Sequence, residues 1–262
     1  MGSAALHIAR TGIDAQDTRM RVISNNLANV NTTGFKKDRA AFETLAYQVV
    51  TAPGAASTQE TRYATGLNLG TGVRVQGTAR IDTQGSLQTT NNSLDMALDG
   101  DGYFQVQLPG GQLGYTRAGN FSRSAEGLMV TSEGYQVMPG ITVPEGTTQI
   151  TIGADGTVSA TVPGQTEATQ LGQVQVATFA NAAGLQNTGD NYLIETGASG
   201  AANMGIAGQD GRGQIRQGML EGSNVNVVEE LVDMIETQRA YEVNSKMISA
   251  TDEMLKYVNQ NI

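Results

Sequence analysis

Nucleophilic catalysis needs a base beside its nucleophile, and this chain offers a single histidine, His7, and no cysteine. His7 lies in the first amphipathic stretch, where a polar surface position accounts for it. No spacing of Ser, Lys, Asp or Glu points to Ser-Lys or paired-carboxylate chemistry. Asp99-Gly100-Asp101-Gly102 resembles the opening of a calcium loop. Tyr103 and Phe104, however, stand where such a loop needs an oxygen ligand and then a glycine, so the stretch reads as a turn. Gly34-Phe35-Lys36-Lys37 lacks the earlier glycine and the Ser or Thr of a phosphate loop. Gly70-Thr71-Gly72-Val73-Arg74-Val75 fails the dinucleotide fingerprint at its third glycine. We therefore expect no catalytic residue, no cofactor site and no metal site.

The bulk properties narrow the class further. A net charge of −9 over 262 residues lacks the basic footprint of a nucleic-acid or anionic-membrane binder. No stretch approaches the roughly 18 to 20 apolar residues of a membrane span, so no membrane insertion is expected. His7 and Arg10 fall where the apolar core of a signal peptide would start, and no cleavable signal peptide is readable. Thirty-three glycines with only 5% aromatic residues favour strands and tight turns over one dense core.

The elements divide into two materials. All five prolines lie between Pro53 and Pro163, whereas Ser223 to Ile262 holds neither Pro nor Gly. At the start, Leu6, Ile13, Met20 and Leu27 recur every seven residues, with Ala9, Gln16, Ile23 and Val30 as a second column. This is an a/d heptad pattern, with Ser3 as a candidate N-cap and Asn31-Thr32-Thr33-Gly34 as a candidate stop. Gly12 interrupts it at a cost of about 1 kcal/mol against alanine, which points to a helix stabilised by partners.

At the other end Asn226 and Glu229 form a capping-box-like pair. Val227, Met234, Tyr241, Ile248, Leu255 and Ile262 then make one seven-residue column. The expected second column, Leu231, Gln238, Ser245, Asp252 and Asn259, is mostly polar, and a flanking column of Ala240, Met247 and Met254 supplies apolar width instead. A stripe of this breadth implies contact with more than one neighbour. Arg10, Arg19, Arg21, Lys36, Lys37 and Arg39 against Asp14, Asp17 and Asp38 give residues 1–40 a balance of +3. Arg239, Lys246 and Lys256 against Glu229, Glu230, Asp233, Glu236, Glu242, Asp252 and Glu253 give residues 227–262 a balance of −4, so the ends are matched for pairing. The pattern alone fits equally a helical hairpin packed on its own domain and helices that pack between subunits.

The middle reads as short strands of period two: Val73 and Val75; Leu94, Met96 and Leu98; Phe104, Val106 and Leu108; Ile150 and Ile152; Val174, Val176 and Phe179. Turns such as Pro109-Gly110-Gly111 and Asp155-Gly156 separate them, giving an antiparallel β domain. Thr51 to Thr65 has almost no apolar residue and reads as a flexible loop. The fold class is α+β: long N- and C-terminal helices pairing as a coiled coil, with a central antiparallel β domain.

The run from Val22-Ile23-Ser24-Asn25-Asn26-Leu27-Ala28-Asn29 through Gly34-Phe35-Lys36 strongly resembles the N-terminal signature of the bacterial flagellar rod and hook axial proteins. Ser223-Asn224-Val225-Asn226 through Ile235, followed by Gln238-Arg239-Ala240-Tyr241-Glu242, resembles the matching C-terminal signature. Gly100-Asp101-Gly102-Tyr103-Phe104 and Tyr115-Thr116-Arg117-Ala118-Gly119-Asn120-Phe121 look like the family's β-domain motifs, and the stretch from Tyr47 to Val73 is similar to that of its distal-rod members. The resemblance covers essentially the whole chain. Signature residues carried over are Asn25, Asn26, Leu27, Asn29, Gly34, Phe35, Asn224, Asn226, Gln238, Arg239 and Tyr241.

What the resemblance implies is an axial helix over 1–35 paired with one over 221–262. Between them it implies a connecting segment over 36–95 with an insert at about 45–70, a central β domain over 96–204 and a return connection over 205–220. It further implies helical self-polymerisation into a rigid tube that transmits torque and serves as an export channel. The implied assembly interface is Leu6, Ile13, Met20, Ile23, Leu27, Val30, Val227, Leu231, Met234, Ile235, Tyr241, Met247, Ile248, Met254, Leu255 and Val258. Implied partners are copies of itself, proximal rod proteins, the hook protein, the L and P ring proteins and the flagellar export apparatus. The implied place is the basal-body rod spanning the periplasm, reached without a cleavable signal peptide. Proximal rod or hook membership is the alternative within the family, and a β-rich surface or phage-tail module with a helical hairpin is the alternative outside it. Isolated helices draw little stability from propensity. Limited proteolysis of dilute monomer is therefore expected to trim both ends and spare about residues 75–215, and protease-resistant ends would contradict this.

Overall fold

The computed structural model describes residues 2–54, 64–162 and 168–260. The expected flexible loop at Thr51 to Thr65 falls largely on residues 55–63, which lie outside the described residues, as does Ile262. The chain divides into two compact units. The first comprises residues 1–27, 38–79 and 226–262, and the second residues 28–37 and 80–225.

The first unit is built on two long helices, α1 (Gly2–Ala28) and α2 (Val227–Gln260). Ser3 lies inside α1 and not at its cap. α2 is capped by Asn226, whose Oδ1 accepts a hydrogen bond from the Val228 amide while its backbone oxygen accepts that of Glu230. Glu229 and Glu230 set negative charge on the first turn, where unpaired amides carry the positive end of the helix dipole. The same unit holds a two-stranded sheet of Asp38–Thr44 with Val73–Arg80. A hairpin pairs Gln48–Thr51 with Leu67–Leu69, so the flanks of the polar insert are paired strands. Val73 and Val75, expected in the β domain, lie in this first unit.

In the second unit the period-two pattern becomes antiparallel sheet. The order Gln186–Gly189, Tyr192–Ile194, Leu113–Thr116, Tyr103–Gln107, Gln136–Val137, Met129–Val130, Ser122–Arg123 forms the main path, with Gln175–Thr178 joining Tyr103–Gln107 to Asn203–Ile206. Gln149–Ile152, Thr157–Thr161 and Thr169–Gln173 form a three-stranded sheet, Met96–Asp99 pairs with Gln214–Gln217, and Leu87–Thr89 pairs with Met219–Glu221. Met96, Leu98, Phe104, Val106, Phe121, Val158, Val176 and Ile215 converge in one core. A second cluster gathers Tyr103, Tyr115, Leu193 and Phe179. Phe104 is fully buried edge-on to Phe121 at 5.2 Å between centroids, whereas Val232 on α2 is 51% exposed. Phe104→Ala is expected to lower stability by about 3–5 kcal/mol through the cavity it leaves. Val232→Ala is expected to change it by less than about 0.5 kcal/mol, both read from urea unfolding of the monomer.

Candidate functional site

Two constellations gather the signature residues, one in each unit. In the first, α1 and α2 meet in opposite directions at three places, spaced about two turns apart along α1. Gly12 approaches Asn244 so closely that a Cβ on residue 12 would lie 3.0 Å from Asn244 Nδ2. Arg19 Nη2 reaches Asp233 Oδ1 at 3.2 Å, and Asn26 Nδ2 donates to Glu230 Oε2 at 3.2 Å. Asn26 also fixes the start of the next strand, donating to Asp38 O at 2.9 Å and accepting from Asp38 N at 3.0 Å. The Arg19–Asp233 pair is half exposed and contributes under about 1 kcal/mol. The opposite net charges of the two ends therefore add little through it.

The polar column that α2 turns inward is Glu230, Thr237, Asn244 and Thr251, with Glu230 and Thr237 buried. The expected second column behaves differently, since Leu231, Gln238, Ser245 and Asp252 are all exposed. The inward column was legible as a seven-residue repeat, but its polarity hid it from a search for apolar seams. Gly12, read from the sequence as a flaw in the heptads, is the residue that permits the close approach of Asn244.

Among the residues expected to form an interface, Ile23 is buried and Leu6, Ile13, Met20, Leu27, Met234, Ile248 and Leu255 are half-buried. Val227, Leu231, Ile235, Tyr241, Met247 and Met254 stand exposed. Val30 is half-buried in the turn after α1, within the second unit, and the side chain of Val258 lies outside the described residues. Of the signature, Asn26 is buried, while Asn25, Gln238, Arg239 and Tyr241 are exposed and Leu27 and Asn29 are half-buried.

Asn226 caps α2 in the first unit, and Gly34, Phe35 and Asn224 assemble in the second. The carboxylate of Glu221, wholly buried, accepts from Lys36 Nζ at 2.6 Å and from the Gly85 amide at 3.0 Å on Oε1, and from Arg117 Nη1 at 3.3 Å on Oε2. Lys36 Nζ also donates to Thr83 O at 2.8 Å. Burial holds the Lys36 amine below its usual range, while the hydrogen bond and charge of Glu221 pull it back. The Arg117 guanidinium stands 5.5 Å above the Tyr103 ring, and Tyr103 donates to Asp82. Burial, with Asp82 beside it, pushes the Tyr103 phenol up.

Around this carboxylate the two ends of the chain are tied side by side. The Gly34 amide donates to Glu221 O at 2.7 Å, and the Lys37 amide to Asn224 Oδ1 at 2.7 Å. Asn224 Nδ2 donates in turn to Ile81 O at 2.8 Å and to Thr83. Asn191 holds Thr33 O at 2.9 Å. Gly34 adopts φ +68°, and a Cβ there would lie 2.6 Å from the Ala118 amide, so only glycine fits. Phe35 contributes its backbone, its carbonyl accepting the Asn224 amide at 3.4 Å. Lys36, Arg117 and Glu230 lie in runs read from the sequence, but neither they nor Glu221 were given a buried role, since burial alone distinguishes them from other charged residues. Glu221→Leu is expected to cost about 3–5 kcal/mol, because two buried cations lose their counter-charge. Lys36→Met is expected to cost less, because Arg117 still neutralises the carboxylate. Urea unfolding of the two variants measures the difference.

Residues 6–36 match the family described as flagella basal body rod protein, 97–160 the flagellar hook protein FlgE/F/G D1 domain, and 216–261 the flagellar basal body rod FlgEFG protein C-terminal region. A flagellar basal-body rod protein FlgG of Buchnera aphidicola is 50% identical over 256 residues, covering 98% of both chains. That of Caulobacter vibrioides is 45% identical over 257 residues, again with 98% of each covered. That of Bacillus subtilis is 38% identical over 259 residues, with 96% of each covered.

Proposed function

Since this chain belongs to the flagellar basal-body rod protein family and is a structural subunit of the distal rod, we propose that it polymerises helically into a rigid tube. The tube transmits motor torque to the hook and carries export substrates through its lumen. Its place is the flagellar basal body, and the tube spans the periplasm, reached through the flagellar export apparatus. Its neighbours are copies of itself, the proximal rod proteins, the hook protein and the L and P ring proteins. Its relatives are named as rod proteins, and its chemistry is that of packing.

One observation carries the assembly reading. Among the described residues, 19 large hydrophobic side chains are exposed, and all but Leu113 belong to the first unit. Ten of them lie on α2, from Val227 to Tyr257. At 3.6 residues per turn, Val228, Val232, Ile235 and Val243 fall on the side of α2 opposite the Glu230–Asn244 column. An apolar patch of this extent marks a protein interface. The helices thus pair within the chain as a coiled coil through a narrow, partly polar seam. They offer the broader apolar side to neighbouring subunits, with Leu231, Ile235, Met247 and Met254 as contacts.

The hairpin flanking the insert exposes Tyr47, Val49, Val50, Leu67 and Leu69. A two-stranded hairpin alone is marginally stable in water. Its cover is a neighbouring subunit, and the insert stiffens the rod by packing there. Concentrated protein viewed by electron microscopy is expected to form rods. Val232→Asp with Ile235→Asp is expected to abolish them while leaving the urea midpoint of the monomer within about 1 kcal/mol. Rods of unchanged number and length from that variant would overturn the assignment of this face.

A further inference from the structure

The apolar columns of the two helices cannot by themselves choose a register. Leu6, Ile13, Met20 and Leu27 on α1, like Met234, Tyr241, Ile248 and Leu255 on α2, repeat every seven residues. Sliding one helix past the other by one heptad brings each apolar residue against another of the same column. That slip moves the helices by about 10 Å and costs little apolar burial. The apolar side chains that bury most deeply on α1 are the small Ala9 and Ala15, with Ile23, which makes the apolar term weaker still.

The polar column repeats in position, but its residue types change from heptad to heptad. Gly12 meets Asn244, and Asn26 meets Glu230, two pairs separated by 14 residues on each helix with the partners running in opposite directions. One heptad away, Gly12 would face Thr251 or Thr237. Asn244 would then face Arg19 or Ala5, where a side chain stands at the close approach that Gly12 leaves open. Glu230, only 5% exposed, would lose the Asn26 amide. Asn26 cannot follow it, because both of its polar atoms are also bound to the Asp38 backbone, at 2.9 and 3.0 Å. Losing one donor to a buried carboxylate is costly, and an asparagine that meets a side chain in place of a glycine must move aside.

We infer that the Gly12–Asn244 and Asn26–Glu230 pairs are register-setting residues that fix how α1 and α2 align within the subunit, and so the axial position at which each subunit presents its outward face. The inference rests on the helix pairing of the proposed function. It predicts that removing the polar column frees the register without dissolving the pair.

The chain has no cysteine, so probes can be placed cleanly. Cysteines replacing the exposed Arg21 and Lys256 are spin-labelled, and the chain is polymerised with an excess of unlabelled protein. The label separation is then read by pulsed electron paramagnetic resonance. The parent is expected to give one distance. Glu230→Leu with Asn244→Ala is expected to add a second population displaced by about 10 Å, one heptad of rise, with helix content by circular dichroism unchanged. Should that variant fail to polymerise, the single Asn244→Ala variant is expected to show a smaller second population, because the Asn26–Glu230 pair still favours the parental register. A single parental distance in a variant that still forms rods overturns the register role alone. If the labelled parent forms no rods, the reading of function falls instead.

Discussion

Glu221 is a fully buried carboxylate, and the path of residues 33–37 and 221–224 through the second unit follows from satisfying it. Its charge draws in Lys36 from the segment after α1 and Arg117 from the β domain, and its carbonyl takes the amide of Gly34. Burying an ion is tolerated only when its geometry is complete. Each of these residues must therefore arrive at one place, and the backbone of residues 33–37 and 221–224 is held accordingly. Asn224 completes the tie by bonding the Lys37 amide on one side and the Ile81 and Thr83 carbonyls on the other. Residues 33–37 and 221–224 are thus held at a polar node and not in an apolar core.

The first unit follows the opposite rule. Its helices meet partly across small and polar residues, and ten large apolar side chains on α2 are exposed. For a soluble monomer that arrangement forgoes most of the hydrophobic contribution, which scales with the area removed from water. For a subunit of a helical polymer it keeps that contribution for assembly. The second unit, with Leu113 as its one exposed large hydrophobic among the described residues, has a surface made to face solvent.

Much of this was legible in the residues. The seven-residue repeats located both helices, the Gly- and Asp-bounded runs located the antiparallel strands, and the signatures around Asn25 to Phe35 and Asn224 to Tyr241 named the family. Less legible was the use of each residue. Gly34 in a turn signal and Gly12 in a heptad look alike on paper, yet one is required by a left-handed backbone and the other leaves room for the side chain of Asn244. Val73 and Val75 read as β-domain strand because alternation carries no information about which sheet a strand joins.

By itself the sequence determined what is periodic: where helices and strands form, that the ends are amphipathic, and which family the chain resembles. Local pattern suffices for these, since each depends on residues a few positions apart. The tertiary structure alone decided which helix column faces inward and that a carboxylate at 221 would be buried against a lysine at 36 and an arginine at 117. Those outcomes depend on desolvation and close approach between residues more than a hundred positions apart. A charged residue gives no sign in sequence of whether it will be surrounded by water or by its counter-charges.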